Sequence, residues 1–320
     1  MNLLISSYSN PYINLATEEF LLKNRTDNFL FLYINQPCVV VGKHQIAQKE
    51  INSKYTFDNN IQIARRLSGG GAVYHDYGNL NFSFIQSVLP NENISYKNIT
   101  IPILNFLLQT GTELVMSDRN DITAKGKKIS GSAMHIFKNR VLAHGTLLID
   151  SDLANLSKSL KGNPEKYTDK SIPSRRSKVT NLTAVNNSIR MDSLLNSLKE
   201  YLIKENGYIQ SSIMTDSSLD IITELAINKY SKVDWIYGYS PKYTFSTSIT
   251  LDGEKIQFSI EVEKGIIEKI NIESMDKLNS DIVLKLNNLI GLQHNYSSMS
   301  ISPGIMNDNP YFQVILDALF

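Results

Sequence analysis

The chain has little of what several protein classes require. Cys38 is the single cysteine among 320 residues, which excludes an intramolecular disulfide framework and any metal site built from several thiolates. An excess of one charge sign is also missing, since 32 Lys and Arg face 31 Asp and Glu for a formal net charge of +1. No global basic field recruits nucleic acid and there is no acidic tail, although a local basic pocket stays open. Long hydrophobic runs are lacking too. None approaches transmembrane length, and the opening MNLLISSYSNPYINL has neither the charged start nor the apolar run of a signal peptide. No internal repeat or low-complexity tract is seen. What remains is ordinary globular composition, 42% hydrophobic and 20% charged. The expectation is a cytoplasmic protein of mixed α and β structure, working without membrane or nucleic acid.

The length suits one large domain and a smaller one. Asn10 before Pro11 reads as an N-cap with proline at the first helical position, opening a helix to about Lys23. Within it Leu15, Glu19 and Leu22 fall at helical spacing, which sets an acidic residue beside an apolar face. Strands are predicted over 29–34, 39–41, 61–66, 71–75 and 80–85, with Asp76-Tyr77-Gly78-Asn79 as a turn. A helix is expected to begin at Pro102 within 101–110, and a hairpin over 128–137 and 141–149. Helices follow at 151–160, 191–206 and 217–229; the polar stretch 161–178 is a linker or a mobile functional loop. After Pro241 the pattern becomes a meander (246–251, 257–263, 266–272) and then two helices (281–290 and 309–320), with turns at Asp252-Gly253 and Lys264-Gly265.

Three clusters carry chemistry. The first is RRLSGGGAVYHDYGN at 65–79. Consecutive glycines inside a strand pair cost order unless close backbone approach is needed, and adjacent arginines suit an anion. The run fits neither the dinucleotide fingerprint nor the P-loop, so a plain bend is an equal reading at this point. Strand parity turns Arg65 and Arg66 to opposite sides, so one of them faces any site behind the loop. The second is Lys127-Lys128-Ile129-Ser130-Gly131-Ser132, where alternation groups Lys128 with Ser130 and Ser132. Taken alone, this segment is better explained as a solvated strand start. The third is His144-Gly145-Thr146; a lone histidine, here or at His75, is more often structural than catalytic. Asn120-Asp121 offers an oxygen ligand for Mg²⁺ or is merely a turn. Cys38 lies in an apolar strand start without an evident base and reads as structural.

Taken together and in order, ARRLSGGGAVYHDYGN, RND at 119–121, KKISGSA at 127–133 and AHGTLL at 143–148 resemble the lipoate–protein ligases of the biotin/lipoate ligase superfamily. NPYINLATEE at 10–19, SRRSKVTNL at 174–182 and EVEKG at 261–265 extend the likeness over nearly the whole chain. The resemblance implies an α+β fold. A catalytic domain of mixed and antiparallel sheets flanked by helices would span 1–245, with a small α+β accessory domain over 246–320. It implies an ATP- and Mg²⁺-dependent enzyme that activates lipoate to lipoyl-AMP and passes the acyl group to a carrier lysine. Lys128 would be the catalytic lysine. Nucleotide contacts would come from Arg66, Gly70, Gly71, Ala72, Val73, Tyr74, His75, Asn79, Asp121 and Lys128, with Asp121 holding the metal. Glu19, Arg66, Lys128 and His144 would border the lipoate. The partners would be lipoate or octanoate and an apo carrier, either an E2 lipoyl domain of a 2-oxoacid dehydrogenase complex or a glycine-cleavage H protein, met by a monomer. Arg175 and Lys178 depart from the family's usual apolar residue and arginine. The alternatives are an ATP-independent lipoyl or octanoyl transferase of the same fold, or a binding paralogue without catalysis. A biotin ligase is disfavoured, because its GRGRxGR loop is absent.

Overall fold

The computed structural model describes residues 1–89, 94–118, 120–171, 174, 177–212, 216–251, 253–273, 278, 280–300 and 310–320. Arg119, Arg175, Asp252 and Asn309, each used in the sequence reading, lie outside them. A six-stranded mixed sheet is the frame. Its order in space is Ser132–Phe137, Arg140–Leu148, Asn79–Ser87, Phe29–Ile34, Asn2–Ile5 and Ile209–Gln210. Phe29–Ile34 is buried along almost its whole length on both faces, which is why it reads as a continuous apolar run. Each of its fully buried side chains contributes roughly 2 kcal/mol of apolar transfer.

Tyr96–Gln109 and Met191–Lys204 pack on one face of this sheet, where Ile103, Phe106, Leu194 and Leu198 share a core with Leu30, Leu32 and Phe82. The other face receives the first helix, Pro11–Asn24, and a small sheet of Gln62–Arg65, Cys38–Val41 and Val73–His75. Asn10 caps the first helix through its Oδ1, which accepts from the N–H groups of Tyr12 and Ile13, and Pro11 follows at the first turn. A third sheet, Leu114–Met116, Ile122–Ala124 and Lys127–Ser130, stands beside the large one.

The C-terminal residues form a meander of Tyr243–Leu251, Glu254–Glu263 and Ile266–Glu273. Lys264 and Gly265 both take positive φ at the second turn, as a two-residue hairpin needs. Ser280–Asn287, Tyr296–Ser300 and Pro310–Ala318 cover the meander around Phe245, Phe258, Leu286 and Ile315. The meander has a fourth strand drawn from far upstream. Tyr167–Asp169 pairs antiparallel with Tyr243–Phe245, so part of 161–178 is neither linker nor loop but a sheet edge. Asp169 is fastened to Lys49 by a buried ion pair of 2.6 Å. Burial alone would raise that carboxyl, but hydrogen bonds from Lys49 and Ser171 outweigh it and hold it below the usual range.

Two expectations need correction. The helix does not begin at Pro102. Ser95 caps it, its Oγ accepting from the Asn98 N–H, and the proline sits inside Tyr96–Gln109. The hairpin is not one uninterrupted pair either. Lys127–Ser130 belongs to the third sheet, and only Ser132–Phe137 pairs with Arg140–Leu148. The break falls at Gly131, whose N–H donates to Thr146 Oγ1 instead of continuing a ladder. The grouping of Lys128 with Ser132 by alternation therefore does not apply.

Candidate active site

Both sheets contribute to a slot of about 380 Å³, its open mouth included. Leu15, Tyr33, Val40 and Val73 make apolar walls, while Arg66, His75, Asn81 and His144 supply polar ones. The lining, apolar with a few polar groups, is that of a site for a mainly apolar ligand. Lys128 stands over Gly131 at one end. A Cβ built on Gly131 would lie 3.2 Å from both Cε and Nζ of Lys128, so the glycine makes room for the lysine. Its ammonium pairs with Asp121 at 2.9 Å and is part-exposed, whereas Lys127 is exposed.

The glycine loop lies beside the slot, with Gly70 facing Ala133, and its three glycines have different reasons. Gly70 adopts φ +89°, which side-chain-bearing residues rarely take. Gly71 is packed against Ser174, whose Oγ would lie 2.9 Å from a Cβ there and accepts the N–H of Ala72 at 2.9 Å. Gly69 has open space around it. Beneath the loop, Gly42 is pressed so close to Gly70 that a Cβ would come within 2.1 Å of the Gly70 carbonyl.

The two arginines point opposite ways, as alternation requires. Arg65 is fully buried away from the slot. It donates to the carbonyls of Gly42, Lys43, Gln45, Trp235 and Ile236 and to Ser240 Oγ, tying the loop's support to the chain leading into the terminal meander. Arg66 lines the slot, yet its guanidinium is largely committed. Nε donates to Ser68 Oγ, Nη1 to the Val40 carbonyl, and Nη2 to the carbonyls of Gly69 and Gly71. Burial pushes both arginines down to about 10, so they remain cations at neutral pH. Arg66 thus braces the loop from within, and little of its fork is left for a nucleotide.

A buried polar chain runs on from Arg66. Ser68 Oγ is 2.6 Å from His144 Nε2, and His144 Nδ1 is 3.0 Å from Glu18 Oε1, which also accepts from Tyr33 and Ser83. This corrects the expectation for Glu19. Its carboxylate turns away to Lys23, Lys229 and Tyr230, and the acid beside His144 is Glu18. Positions 18 and 19 lie three and four residues after Leu15, so spacing alone places either on that face.

Three other expected contacts look different in place. The Tyr74 side chain is buried with Val39, Val41 and Ile236 on the opposite face of the small sheet, which leaves only its backbone for a ligand. Asn79 is buried and donates to Asn81 Oδ1, outside the slot lining. Asp121 is engaged by Lys128, and no group of three acidic, His or Cys side chains suited to a metal occurs among the described residues. A protein cage for Mg²⁺ at Asp121 is therefore not supported. Cys38 is fully buried, and burial pushes its thiol up, so it cannot supply a thiolate. Sequence reasoning gave no role to Tyr33, Gly42, Ser68, Thr146 or Ser174; Ser68, Thr146 and Ser174 lie inside motifs it singled out, whereas local pattern gives no signal for Tyr33 and Gly42.

Glu18 also makes a pH prediction. Burial favours its neutral form, but the charge of His144 and hydrogen bonds from His144, Ser83 and Tyr33 win and hold its pKa below the ordinary value. A depressed carboxylate contributes stability above the unfolded pKa of about 4.3 and loses it as pH falls through the folded value. The thermal stability advantage of wild type over Glu18→Gln should be full at neutral pH and shrink below about pH 4. An advantage that grows in acid would contradict this reading.

An apolar-walled slot with a lysine and a glycine-rich backbone loop beside it makes a site suited to a mainly apolar ligand with an anionic end, on an α+β fold of several sheets. The family described as lipoyl protein ligase A/B catalytic domain matches residues 10–203, and the chain belongs to that family. It is 38% identical to lipoate-protein ligase LplJ of Bacillus subtilis over 269 residues, 82% of this chain and 81% of that protein. Among solved structures it resembles P. falciparum LipL1 in complex with lipoate, with TM-score 0.64 and 27% identity over 99% of this chain and 98% of that one. It also resembles a lipoate-protein ligase A bound with ATP, with TM-score 0.63 and 28% identity over 74% and 98% of the two chains. A third is the bi-partite lipoate protein ligase studied with its E2 lipoyl domain from Thermoplasma acidophilum, with TM-score 0.61 and 26% identity over 74% and 96%.

Proposed function

We propose that this chain is an ATP-dependent lipoate–protein ligase, making lipoyl-AMP and then an amide with a lysine of a lipoyl carrier protein. The observation that carries it is the placing of Lys128 over Gly131 and of Gly70 of the glycine loop against Ala133, both residues of the slot's lining. The likeness to an ATP-bound ligase, a lipoate-bound one and one paired with an E2 lipoyl domain supports nucleotide, acid and carrier in turn.

In the first step two anions must meet, the acyl carboxylate and the α-phosphate. Lys128 offsets that repulsion at the reacting oxygens, and Arg66 holds the loop whose backbone faces the nucleotide. The edge of Val73–His75 offers unpaired backbone groups beside the loop, the part of that motif suited to a base. Magnesium would arrive on the ATP phosphates, keeping most of its waters, as that ion prefers. In the second step the carrier amine attacks the mixed anhydride, and Lys128 stays at the carbonyl oxygen. No protein nucleophile is needed, which agrees with the buried Cys38 and argues against a thiol-dependent transferase. We further propose a cytoplasmic monomer with the division 1–245 and 246–320.

The test is the mass of an apo lipoyl domain incubated with the protein, lipoate and Mg²⁺, with and without ATP. A lipoyl adduct is expected only with ATP. Modification from a preformed acyl carrier or lipoyl-AMP, and never from lipoate with ATP, would replace the ligase by a transferase.

A further inference from the structure

Arg66 is a buried cation that donates, among the described residues, only to neutral oxygens: Ser68 Oγ and the carbonyls of Val40, Gly69 and Gly71. A buried charge is costly unless an opposite charge balances it. Burial pushes Arg66 down to about 10, and the charge that opposes this first is that of Glu18. Glu18 is the mirror case. It is a buried carboxylate that accepts from the hydroxyls of Tyr33 and Ser83 and from His144.

Two side chains join these charges. A carboxylate only accepts, so His144 Nδ1 donates to Glu18 Oε1 at 3.0 Å. His144 Nε2 and Ser68 Oγ, 2.6 Å apart, share one hydrogen. Ser68 Oγ also accepts the Nε–H of Arg66 at 3.0 Å. All four residues are buried. The arrangement is an ion pair held apart, with a hydrogen-bonded chain polarised between its ends.

Beyond Arg66 lies the glycine loop. Nη2 takes the carbonyls of Gly69 and Gly71 at 2.7 and 2.8 Å, one on each side of Gly70 with its φ of +89°. In a trans peptide the C=O and N–H of one plane point opposite ways. Drawing those carbonyls inward therefore turns the N–H groups of Gly70 and Ala72 outward. The second is held at 2.9 Å by Ser174 Oγ. Successive backbone N–H groups of this kind are what a loop offers an anion. The seat of Arg66 sets their aim.

We propose that Glu18 is a positioning residue for adenylation: acting through His144 and Ser68, its charge seats Arg66 and so aims the backbone amides of the glycine loop at the nucleotide. This rests on the ligase reading above and adds to it a residue outside the slot's lining. Glu19 is the internal comparison. The two carboxylates are 1% and 5% exposed, but Glu19 serves Lys23, Lys229 and Tyr230, away from Arg66.

The measurement is lipoate-dependent ATP–pyrophosphate exchange, with the KM for ATP and for lipoate separated and thermal melts alongside. Glu18→Gln keeps the size and an acceptor oxygen but removes the charge. It should raise the KM for ATP about tenfold, within the range for a residue acting through a contact network, and leave the KM for lipoate near wild type. Glu18→Asp keeps the charge on a shorter stem and should stay closer to wild type than Glu18→Gln. Ser68→Ala cuts the link and should match Glu18→Gln, and it reads the same chain should Glu18→Gln not fold. The double variant should be no worse than either single one, because both break one chain. Glu19→Gln should melt earlier with its KM for ATP unchanged. An unchanged KM for ATP in Glu18→Gln, a Glu18→Asp worse than Glu18→Gln, or additive losses in the double variant would each overturn the proposal and leave Glu18 a packing residue. A wild type without exchange would remove the ligase reading itself, and this proposal with it.

Discussion

Lys128→Ala is expected to lower both lipoate-dependent pyrophosphate exchange and acyl transfer by about 10³-fold or more, while Lys127→Ala stays near wild type. The reason is placement. Lys128 Nζ sits over Gly131 at the slot's end, and Lys127 projects into solvent. Lys128→Arg should not rescue. A planar fork is bulkier than an ammonium and differently hydrated, and the space over Gly131 is fitted to the lysine tip. Steady-state rates of the two half-reactions for the three variants decide the matter. Equal losses at 127 and 128 would mean that neither position is special.

Gly42→Ala should be nearly as severe although residue 42 touches no substrate. Its new Cβ would stand 2.1 Å from the Gly70 carbonyl oxygen and 3.3 Å from Arg66 Nη2. Backbone cannot swing aside as a side-chain tip can, so the glycine loop must shift. A destabilisation of about 1–3 kcal/mol is expected from overpacking. A loop displaced by about an ångström would cost adenylation roughly 10²-fold. Gly69→Ala is the control, because among the described residues no atom beyond its chain neighbours lies within 4 Å of a Cβ there, and its φ is not in the left-handed range. Thermal melts and ATP–pyrophosphate exchange on both variants test this. A fully active Gly42→Ala, or a Gly69→Ala equally damaged, would refute it.

The contrast between these glycines shows what sequence can carry. The run at 69–71 announces that backbone must come close to something, and it cannot say which glycine answers to what. Gly42 and Ser174 complete the answer from 27 residues before Gly69 and 103 after Gly71, distances over which no local pattern operates. The elements were more legible, because capping and turn chemistry are local. Asn10-Pro11 opens its helix where expected, and Phe29–Ile34 is a strand between the expected bounds. Failures arose where tertiary contacts outweighed local preference. Ser95 caps a helix that then tolerates Pro102, and Gly131 sends one apparent strand into two sheets. Glu18 against Glu19 was undecidable from spacing, since both flank one helical face. The link from Glu18 to Arg66 runs through His144 and Ser68, and only their assembled geometry reveals it.

The short strand Tyr167–Asp169 bears on how freely the two halves of this protein can be treated as exchangeable parts. It is the outer ladder of the terminal meander, yet it is encoded before Met191–Lys204 and five residues ahead of Ser174, which rests on the glycine loop. A gene cut at residue 245 would pass through the strand Tyr243–Leu251 and leave Tyr167–Asp169 with its three partners, Tyr243–Phe245, in the N-terminal piece. The C-terminal fragment would begin at Ser246, its outer strand cut down to Ser246–Leu251, a sheet edge open to self-association. Recombination between relatives at that point would join two half-strands of different parentage within Tyr243–Leu251. The boundary that composition suggests is thus a boundary in sequence, and the inheritable unit is woven across it.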